Sequence, residues 1–511
     1  MSFESILFPN VADRVPDTQL SAPDFFVDLN LDQIVATVTA GKEEYNLAPF
    51  FYAPLHDVDS VVFRHEVMRD LENAGPFDAI KAFAKGMQEV RENLAQLKKR
   101  YYEHQKECWL LDAVTLYGDS VNRLVRDLAT ADLKSRGLTT FKVYLIEYAA
   151  STRFTALINQ ARRLKAALDA IRYGIFIQGL RVEVYHYAGQ PDYSAQVEAA
   201  FERFQQGGVH RYAIKFSDSA EMNHVEGQIL DGVAHLHPDV FTELESFRTT
   251  NDDFLDMVIT TFDREIQFYV SYLDYLARLK QGGLHFCYPI VSGFRKDVHN
   301  RQGFDLALAA KLVAKGRVPV CNDFFLEGPE RIIVVSGPNQ GGKTTFARTF
   351  GQLHYLASLG CLVPGAEAQL YLPDRIFTHF ERQEHMTTLR GKLEDDVFRI
   401  HAILNTATPR SMIIINEIFA STTLRDAIFL SKKIATVMMQ LDILGVWVTF
   451  LDEVSSLGEK TVSMISTVVP ENPVQRTFKI LRRPANGLAY AMSLAEKYKL
   501  TYNMIVSRVG P

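Results

Sequence analysis

Cysteine is sparse in this chain and follows no pattern. Cys108, Cys287, Cys321 and Cys361 are four thiols in 511 residues, without disulfide-framework or metal-ligand spacing. That argues against a disulfide-stapled fold and for reduced, buried thiols in a cytosolic protein. Long apolar runs are missing too. Stretches such as 412–415 fall far short of the ~20 residues that cross a bilayer, which argues against a membrane-embedded transporter and against a membrane partner. The start, Met1-Ser2-Phe3-Glu4-Ser5, has neither the basic residues nor the apolar stretch of a secretion signal, so a cytoplasmic location is expected. There is no excess of positive charge either. With a formal net charge of −6, any nucleic-acid contact has to come from a local surface. Internal repeats and low-complexity segments are not evident.

What is present is the composition of a soluble globular protein, 47% hydrophobic and 23% charged, in a chain long enough for two to four domains. Residues 1–50 show no clear period. Pro54-Leu55-His56-Asp57 reads as a loop leading into a helix over about 60–72, and Gly75-Pro76 as a break. Ile80, Phe83, Met87, Val90, Leu94, Leu97 and Tyr101 then alternate spacings of three and four, a heptad seam that packs a long helix along one stripe. Helical sequence continues to about 171. Gly174-Ile175-Phe176-Ile177, Arg181-Val182-Glu183-Val184-Tyr185-His186-Tyr187 and Tyr212-Ala213-Ile214-Lys215-Phe216 read as strands of a small β insertion around 172–218. A helix over about 252–280 ends at Gln281-Gly282-Gly283. From about 291 the pattern is α/β. Unalternating apolar runs at 332–335, 411–415 and 445–450 suit parallel strands covered on both faces.

The most informative stretch is Gly337-Pro338-Asn339-Gln340-Gly341-Gly342-Lys343-Thr344. It follows one of those strands and opens onto a helix beginning near Thr345, the order of a phosphate-binding loop. Glycines let backbone N–H groups turn around phosphates, and a helix N-terminus adds partial positive charge. Lys343 is expected on the outer phosphates and the Thr344 hydroxyl on Mg2+. The competing reading is a chance glycine-rich turn, which the flanking strand and helix disfavour. The strand at 412–415 ends in Asn416-Glu417. A carboxylate there can orient the attacking water, which assigns Glu417, while Asn416 can accept a hydrogen bond from a metal-bound water without bringing charge. A Glu that only caps the strand end is the alternative.

These residues together resemble the MutS-type DNA mismatch repair ATPases. The loop resembles Gly-Pro-Asn-Met-Gly-Gly-Lys-Ser-Thr, with Thr345 included. Asn322-Asp323 resembles the Asn of the family's base pocket. Leu362-Val363-Pro364-Gly365 and Asp374-Arg375-Ile376-Phe377-Thr378 resemble Val-Pro-Ala and Asp-Arg-Ile-Phe-Thr. Asn416-Glu417-Ile418 stands for Asp-Glu-Ile, Asp426 for a dimer-contact aspartate, and Asn486-Gly487-Leu488-Ala489-Tyr490-Ala491 is similar to Tyr-Gly-Leu-Ala. The likeness is specific over about 315–495 and weaker at Pro54-Leu55-His56-Asp57 and Arg64-His65-Glu66-Val67. Three departures stand out. The mismatch-reading domain with its Phe-x-Glu wedge has no counterpart, Gly391-Lys392-Leu393-Glu394 replaces the Ser-Thr-Phe signature, and Thr449-Phe450 replaces a Thr-His switch.

The resemblance implies a multidomain architecture. An N-terminal segment (1–50) precedes a helical core and lever domain (51–290) carrying a shortened β clamp, followed by an α/β P-loop domain of ABC type (291–511). It implies ATP and Mg2+ as cofactors, a homodimer, and DNA as partner, with ATP binding coupled to a DNA-embracing end. An ATP-gated scaffold whose levers hold a protein is the alternative, and a soluble transport ATPase a weaker third. Among other features, Lys98-Lys99-Arg100 and Arg162-Arg163-Lys165 could touch phosphates but read better as solvated helix faces. His379 and His385 fall in a loop expected to be mobile after Phe377, and neither they nor His186 and His210 have ligand spacing.

Overall fold

The computed structural model describes residues 3–10, 20–179, 181–189, 222–381, 391–469, 472–485 and 500–509. The expected strand at 212–216, the segment 486–491, His210 and His385 lie outside them. The architecture is mixed, helical and α/β, in two compact units. An α/β unit comprises Phe3–Glu72, Leu133–Thr139 and Arg264–Pro511, and a helical unit is made mainly of Asn73–Asp132 and Thr140–Asp263. In this division residues 3–72 gather with the C-terminal half.

That gathering has identifiable causes. Helices α1 (Phe25–Asp28), α2 (Leu31–Thr39), α3 (Ala48–Tyr52) and α4 (Val58–Leu71) are short. α2 nevertheless buries Leu31, Ile34, Val35 and Val38, a helical stripe too brief to stand out in the sequence. Asp57 caps α4 by accepting from Ser60 N at 2.8 Å. Arg64 on α4 is fully buried, donates to Leu7 O (3.0 Å) and Leu359 O (2.9 Å), and lies between the rings of Phe8 and Phe268. Glu265 accepts from Ser5 Oγ and Ile6 N. Polar contacts of this kind leave no periodic trace.

The helical unit opens with α5 (Ala74–Lys99) and α6 (Glu103–Ala129), which pack along each other. Gly75-Pro76 does not break the chain. Both residues sit in the first turn of α5, where backbone N–H groups lack helical partners and proline loses nothing; the break falls at Glu72-Asn73. Ile80, Phe83, Met87 and Val90 are buried as the seam requires, whereas Leu94 and Leu97 are half-buried and Tyr101, past the helix end, is 85% exposed. Helices α7 (Arg136–Ala150) and α8 (Thr152–Asp169) lead to the antiparallel hairpin β1 (Tyr173–Gln178) and β2 (Arg181–His186). Then come α9 (His224–Leu236), α10 (Pro238–Thr250) and α11 (Met257–Gln281). The sequence pattern sets neither α9 nor α10 apart; glycines and histidines interrupt the apolar stripe of α9. An Asn223/Glu226 capping box and Pro238 at the first helical turn start them.

In the α/β unit, β3 (Phe286–Cys287), β4 (Ile290–Ser292), β5 (Val298–Gly303), α12 (Leu306–Val313) and β6 (Asn322–Leu326) precede β7 (Ile332–Ser336) and α13 (Lys343–Ser358). They are followed by β8 (Val363–Pro364), β9 (Glu367–Tyr371), β10 (Ile376–Phe380), α14 (Lys392–Thr406), β11 (Met412–Asn416), α15 (Leu424–Gln440), β12 (Leu444–Val448), β13 (Thr461–Val469), β14 (Asn472–Arg482) and α16 (Tyr502–Val509). The main sheet has the order β10-β11-β12-β7-β13-β14, parallel except for the antiparallel edge pair β13–β14. Every residue of β7, β11 and β12 is buried, as expected of strands covered on both faces. Trp447 on β12 packs in one cluster with Ala427, Ile434 and Met438 of α15. A smaller sheet, β4-β9-β5-β6, adjoins it in the chain. Among the described residues no helix is long and apolar enough to cross a membrane.

Candidate functional site

The glycine-rich loop joins β7 to α13 at the C-terminal edge of the parallel sheet, the edge on which open α/β sheets bind ligands. Gly337 has φ +115°, and a Cβ there would meet Ser466 O at 2.9 Å; at Gly341 it would collide with Ser466 Oγ. Ser466, on β13, donates to Gly341 O at 2.7 Å and so fixes the loop from the neighbouring strand. Gln340 adopts φ +60°, unusual for a residue with a side chain.

Lys343 begins α13 and is 4% exposed. Its Nζ donates to Gly337 O (3.0 Å), Pro338 O (3.1 Å) and Asn339 Oδ1 (3.3 Å), lies 3.9 Å from Glu417 Oε1 and 4.5 Å from the centre of the Phe450 ring. Burial disfavours its charge, Glu417 favours it and Arg476 disfavours it, and the balance lowers its pKa. Glu417, just past β11, has φ +54° and is tied by its N–H to Val448 O at 2.9 Å. Asn416 is buried, and its Oδ1 has no hydrogen-bond partner among the described residues.

A cavity of about 570 Å3 brings together Gln340, Gly341, Gly342, Lys343, Thr344, Thr345, Glu417 and Asn322. Gly337, Pro338, Asn339 and Asn416 are not among its walls. Both ends of the Asn322 amide are engaged with β14: Nδ2 donates to Phe478 O (3.1 Å) and Oδ1 accepts from Ile480 N (2.8 Å). Wall residues with no motif to announce them are Phe304, Pro319, Val320 and Phe478, an apolar surface opposite the polar loop. Folding brings them together from separate segments, which a linear reading does not reveal.

Oxygen donors from Thr344 and a buried, unpartnered amide oxygen at Asn416 are the chemistry a hydrated Mg2+ takes. Among the described residues no group of three or more His, Cys, Asp or Glu could hold a metal. His379 is not in a mobile loop. It lies in β10, fully buried, with Nε2 3.3 Å from Asp396 Oδ1. Asp396 in turn accepts from Phe419 N (3.3 Å), two residues after Glu417. Gly391-Lys392-Leu393-Glu394 begins α14, and Asp426 accepts from Thr423 Oγ1 (2.7 Å) at the start of α15.

The basic cluster at 162–165 is internally paired. Arg162 meets Asp119 (3.1 Å), Arg163 meets Glu243, and Lys165 meets Asp112 (2.6 Å). Arg100 is buried, with its guanidinium 5.1 Å from the centre of the half-buried Trp109 ring.

The family profile "MutS domain V" matches residues 333–506, from β7 to the last helix. The chain is similar to the DNA mismatch repair protein MutS of Petrotoga mobilis, at 30% identity over 120 residues, covering 24% of this chain and 15% of that protein. It is 26% identical over 215 residues to MutS of Chlorobaculum tepidum, covering 40% of this chain and 24% of the relative. The endonuclease MutS2 of Thermus thermophilus is 27% identical over 187 residues, covering 35% and 24%. These matches span at most about a quarter of each relative's length. The glycine-rich loop lies between these elements, within the stretch matched by domain V, and the match and these relatives support a MutS-family protein.

Proposed function

We propose that this protein binds ATP with Mg2+ at the glycine-rich loop, hydrolyses it slowly as a homodimer, and couples its nucleotide state to DNA held by the helical unit. The observation that carries this reading is Lys343, a cation only 4% exposed at a cavity of about 570 Å3, with one carboxylate 3.9 Å away. A buried ammonium supported mainly by carbonyl dipoles is short of negative charge, and a triphosphate supplies it. The N–H groups of the loop and the first turn of α13 bind phosphate oxygens. Lys343 would meet the outer phosphates, and Thr344 and Asn416 would hold the metal and its hydration shell. The ion, when bound, offsets phosphate charge. Glu417 orients the water that attacks the terminal phosphate. Phe478, Pro319 and Val320 provide an apolar surface against which a base can lie. Asn416 in place of a carboxylate, and Phe450 in place of a switch histidine, support slow turnover.

DNA as the partner rests on the family, whose relatives are named for mismatch repair. The expected DNA is a branched or damaged duplex, or duplex without sequence preference. Titration of the protein with branched and linear DNA at several salt concentrations tests this, with affinity expected to fall steeply as salt rises. A second reading has support of its own: the paired basic cluster at 162–165 and the net charge of −6 favour a protein-binding scaffold. Negligible DNA binding at every salt concentration selects it. Calorimetry with Mg-ATP tests the nucleotide site separately, and an absence of heat refutes it.

A further inference from the structure

The turn that carries Glu417 is fastened by a carboxylate from outside the cavity. Asn416-Glu417-Ile418-Phe419 leaves β11 with left-handed backbone at Glu417 (φ +54°) and at Phe419 (φ +64°). Residues with side chains keep such conformations only where their surroundings fix them. Here three contacts do so. The Glu417 N–H donates to Val448 O of β12 at 2.9 Å. The side chains of Ile418 and Phe419 are buried in the cluster that includes Trp447 of β12 and Ile400 of α14. The Phe419 N–H donates to Oδ2 of Asp396, in the second turn of α14, at 3.3 Å.

Asp396 is a costly choice for that last contact. It is 7% exposed, and a buried carboxylate needs partners. Its Oδ1 lies 3.3 Å from Nε2 of His379, a fully buried ring on β10 in register with Ile415 of β11. An apolar side chain would pack α14 onto the cluster at less cost, as Ile400 does one turn later. A bulge in β14 offers a comparison. It carries Phe478 at φ +59° and is held by a neutral amide, Asn322, through Phe478 O and Ile480 N. The turn that sets Glu417 3.9 Å from Lys343 Nζ is held by a buried acid instead.

We propose that Asp396 is a positioning residue for hydrolysis: by holding the Phe419 N–H it sets the direction in which the Glu417 side chain enters the cavity. This rests on the nucleotide reading above and deepens it. In hydrolysis the water oxygen bonds to the γ-phosphorus, and the bond from that phosphorus to the β,γ-bridging oxygen breaks, its electron pair leaving with ADP. The water proton passes through Glu417 to solvent, giving ADP, phosphate and a proton. Asp396 is not among the cavity walls and acts through the geometry of Glu417. A group displaced by about 1 Å can lose about 100-fold in rate.

The test compares wild type with Asp396→Ala, Asp396→Leu and Asp396→Asn, each also in a Glu417→Gln background, by Mg-ATP calorimetry and single-turnover hydrolysis. ATP affinity is expected to stay within about twofold throughout, which also reports an intact fold. Hydrolysis falls about tenfold or more in the Ala and Leu variants, Leu refilling the volume where Ala does not fold. Asn recovers most of the rate, because its amide oxygen still accepts the Phe419 N–H. In the Glu417→Gln background the same Ala substitution costs less than about twofold more, since the group it positions is already gone. An equal fractional loss in both backgrounds makes Asp396 a general prop of the fold and overturns the proposal. Full activity or failure to fold in both the Ala and Leu variants overturns it too, as does ATP affinity falling in step with hydrolysis. Wild type that binds no Mg-ATP, or Glu417→Gln turning over at the wild-type rate, is a different result: it refutes the nucleotide reading itself, and this role with it.

Discussion

The two units handle charge and backbone strain in opposite ways. In the helical unit Arg162, Arg163 and Lys165 each meet a carboxylate, and among the described residues no non-glycine residue there has a left-handed backbone. The α/β unit holds all eight that do, and four of them (Gln340, Glu417, Phe419 and Phe478) belong to the glycine-rich loop, the strand end facing it and the β14 bulge. Such conformations cost about 1–3 kcal/mol each and persist where surrounding structure fixes them, commonly at functional sites. One unit pairs this cluster locally. The other gathers a buried ammonium and strained backbone in one place, which suits the anion binding proposed for it.

Lys343→Ala probes that contrast most severely. It is expected to weaken ATP binding by about 100-fold or more, read by calorimetry, with the circular dichroism of the fold unchanged. Unaltered ATP affinity would remove the functional meaning of the buried charge. Glu417 comes next. Glu417→Gln is expected to keep ATP binding and slow hydrolysis by ~10²-fold or more. Glu417→Gly should abolish the same activity yet stabilise the protein by about 1 kcal/mol in chemical denaturation, because glycine adopts a positive φ without strain. A Gly variant that is less stable than wild type would show that the φ of +54° is not a source of strain.

The α/β unit also holds the buried imidazoles His65 and His354, and burial pushes both down to about 4. In the unfolded chain a histidine titrates near ~6.5, so below that pH the unfolded state takes up protons the native state refuses. The stability these neutral rings contribute is complete above about pH 6.5 and is lost progressively as pH falls toward the folded value. At pH 5 the loss is about 2 kcal/mol for His354, and urea denaturation of His354→Gln should be flatter by that amount between pH 6.5 and 5. The smallest effect is expected in the helical unit. Arg162→Ala and Arg163→Ala should each change stability by less than about 1 kcal/mol, and DNA affinity by less than about twofold. A large loss of DNA affinity in either would mean that these pairs open to grip phosphate.

Local signals were readable in the sequence and non-local ones were not. The parallel strands declare themselves by apolar runs, the loop by its glycines, and α5 by a stripe that stays buried as far as Val90. Gly75-Pro76 misled because proline punctuates most chains but is harmless in a first helical turn. His379 reads as part of a loop because β10 is short, and a strand of five residues carries little pattern. Ser466, Arg476 and Phe478 left no trace, since they reach the loop only through sheet register and a bulge, with Arg476 bonding a residue 137 positions earlier. The union of the first 72 residues with the C-terminal half was equally hidden. It depends on single polar contacts such as Glu265 with Ser5 and Arg64 with Leu359.

The chain's two tryptophans fall one to each unit, Trp109 beside a guanidinium and Trp447 sealed inside the parallel sheet. Nature has thereby supplied a pair of intrinsic fluorophores. Exciting Trp109→Phe and Trp447→Phe samples in turn lets the melting of sheet and helices be followed as separate optical traces, without attaching any dye.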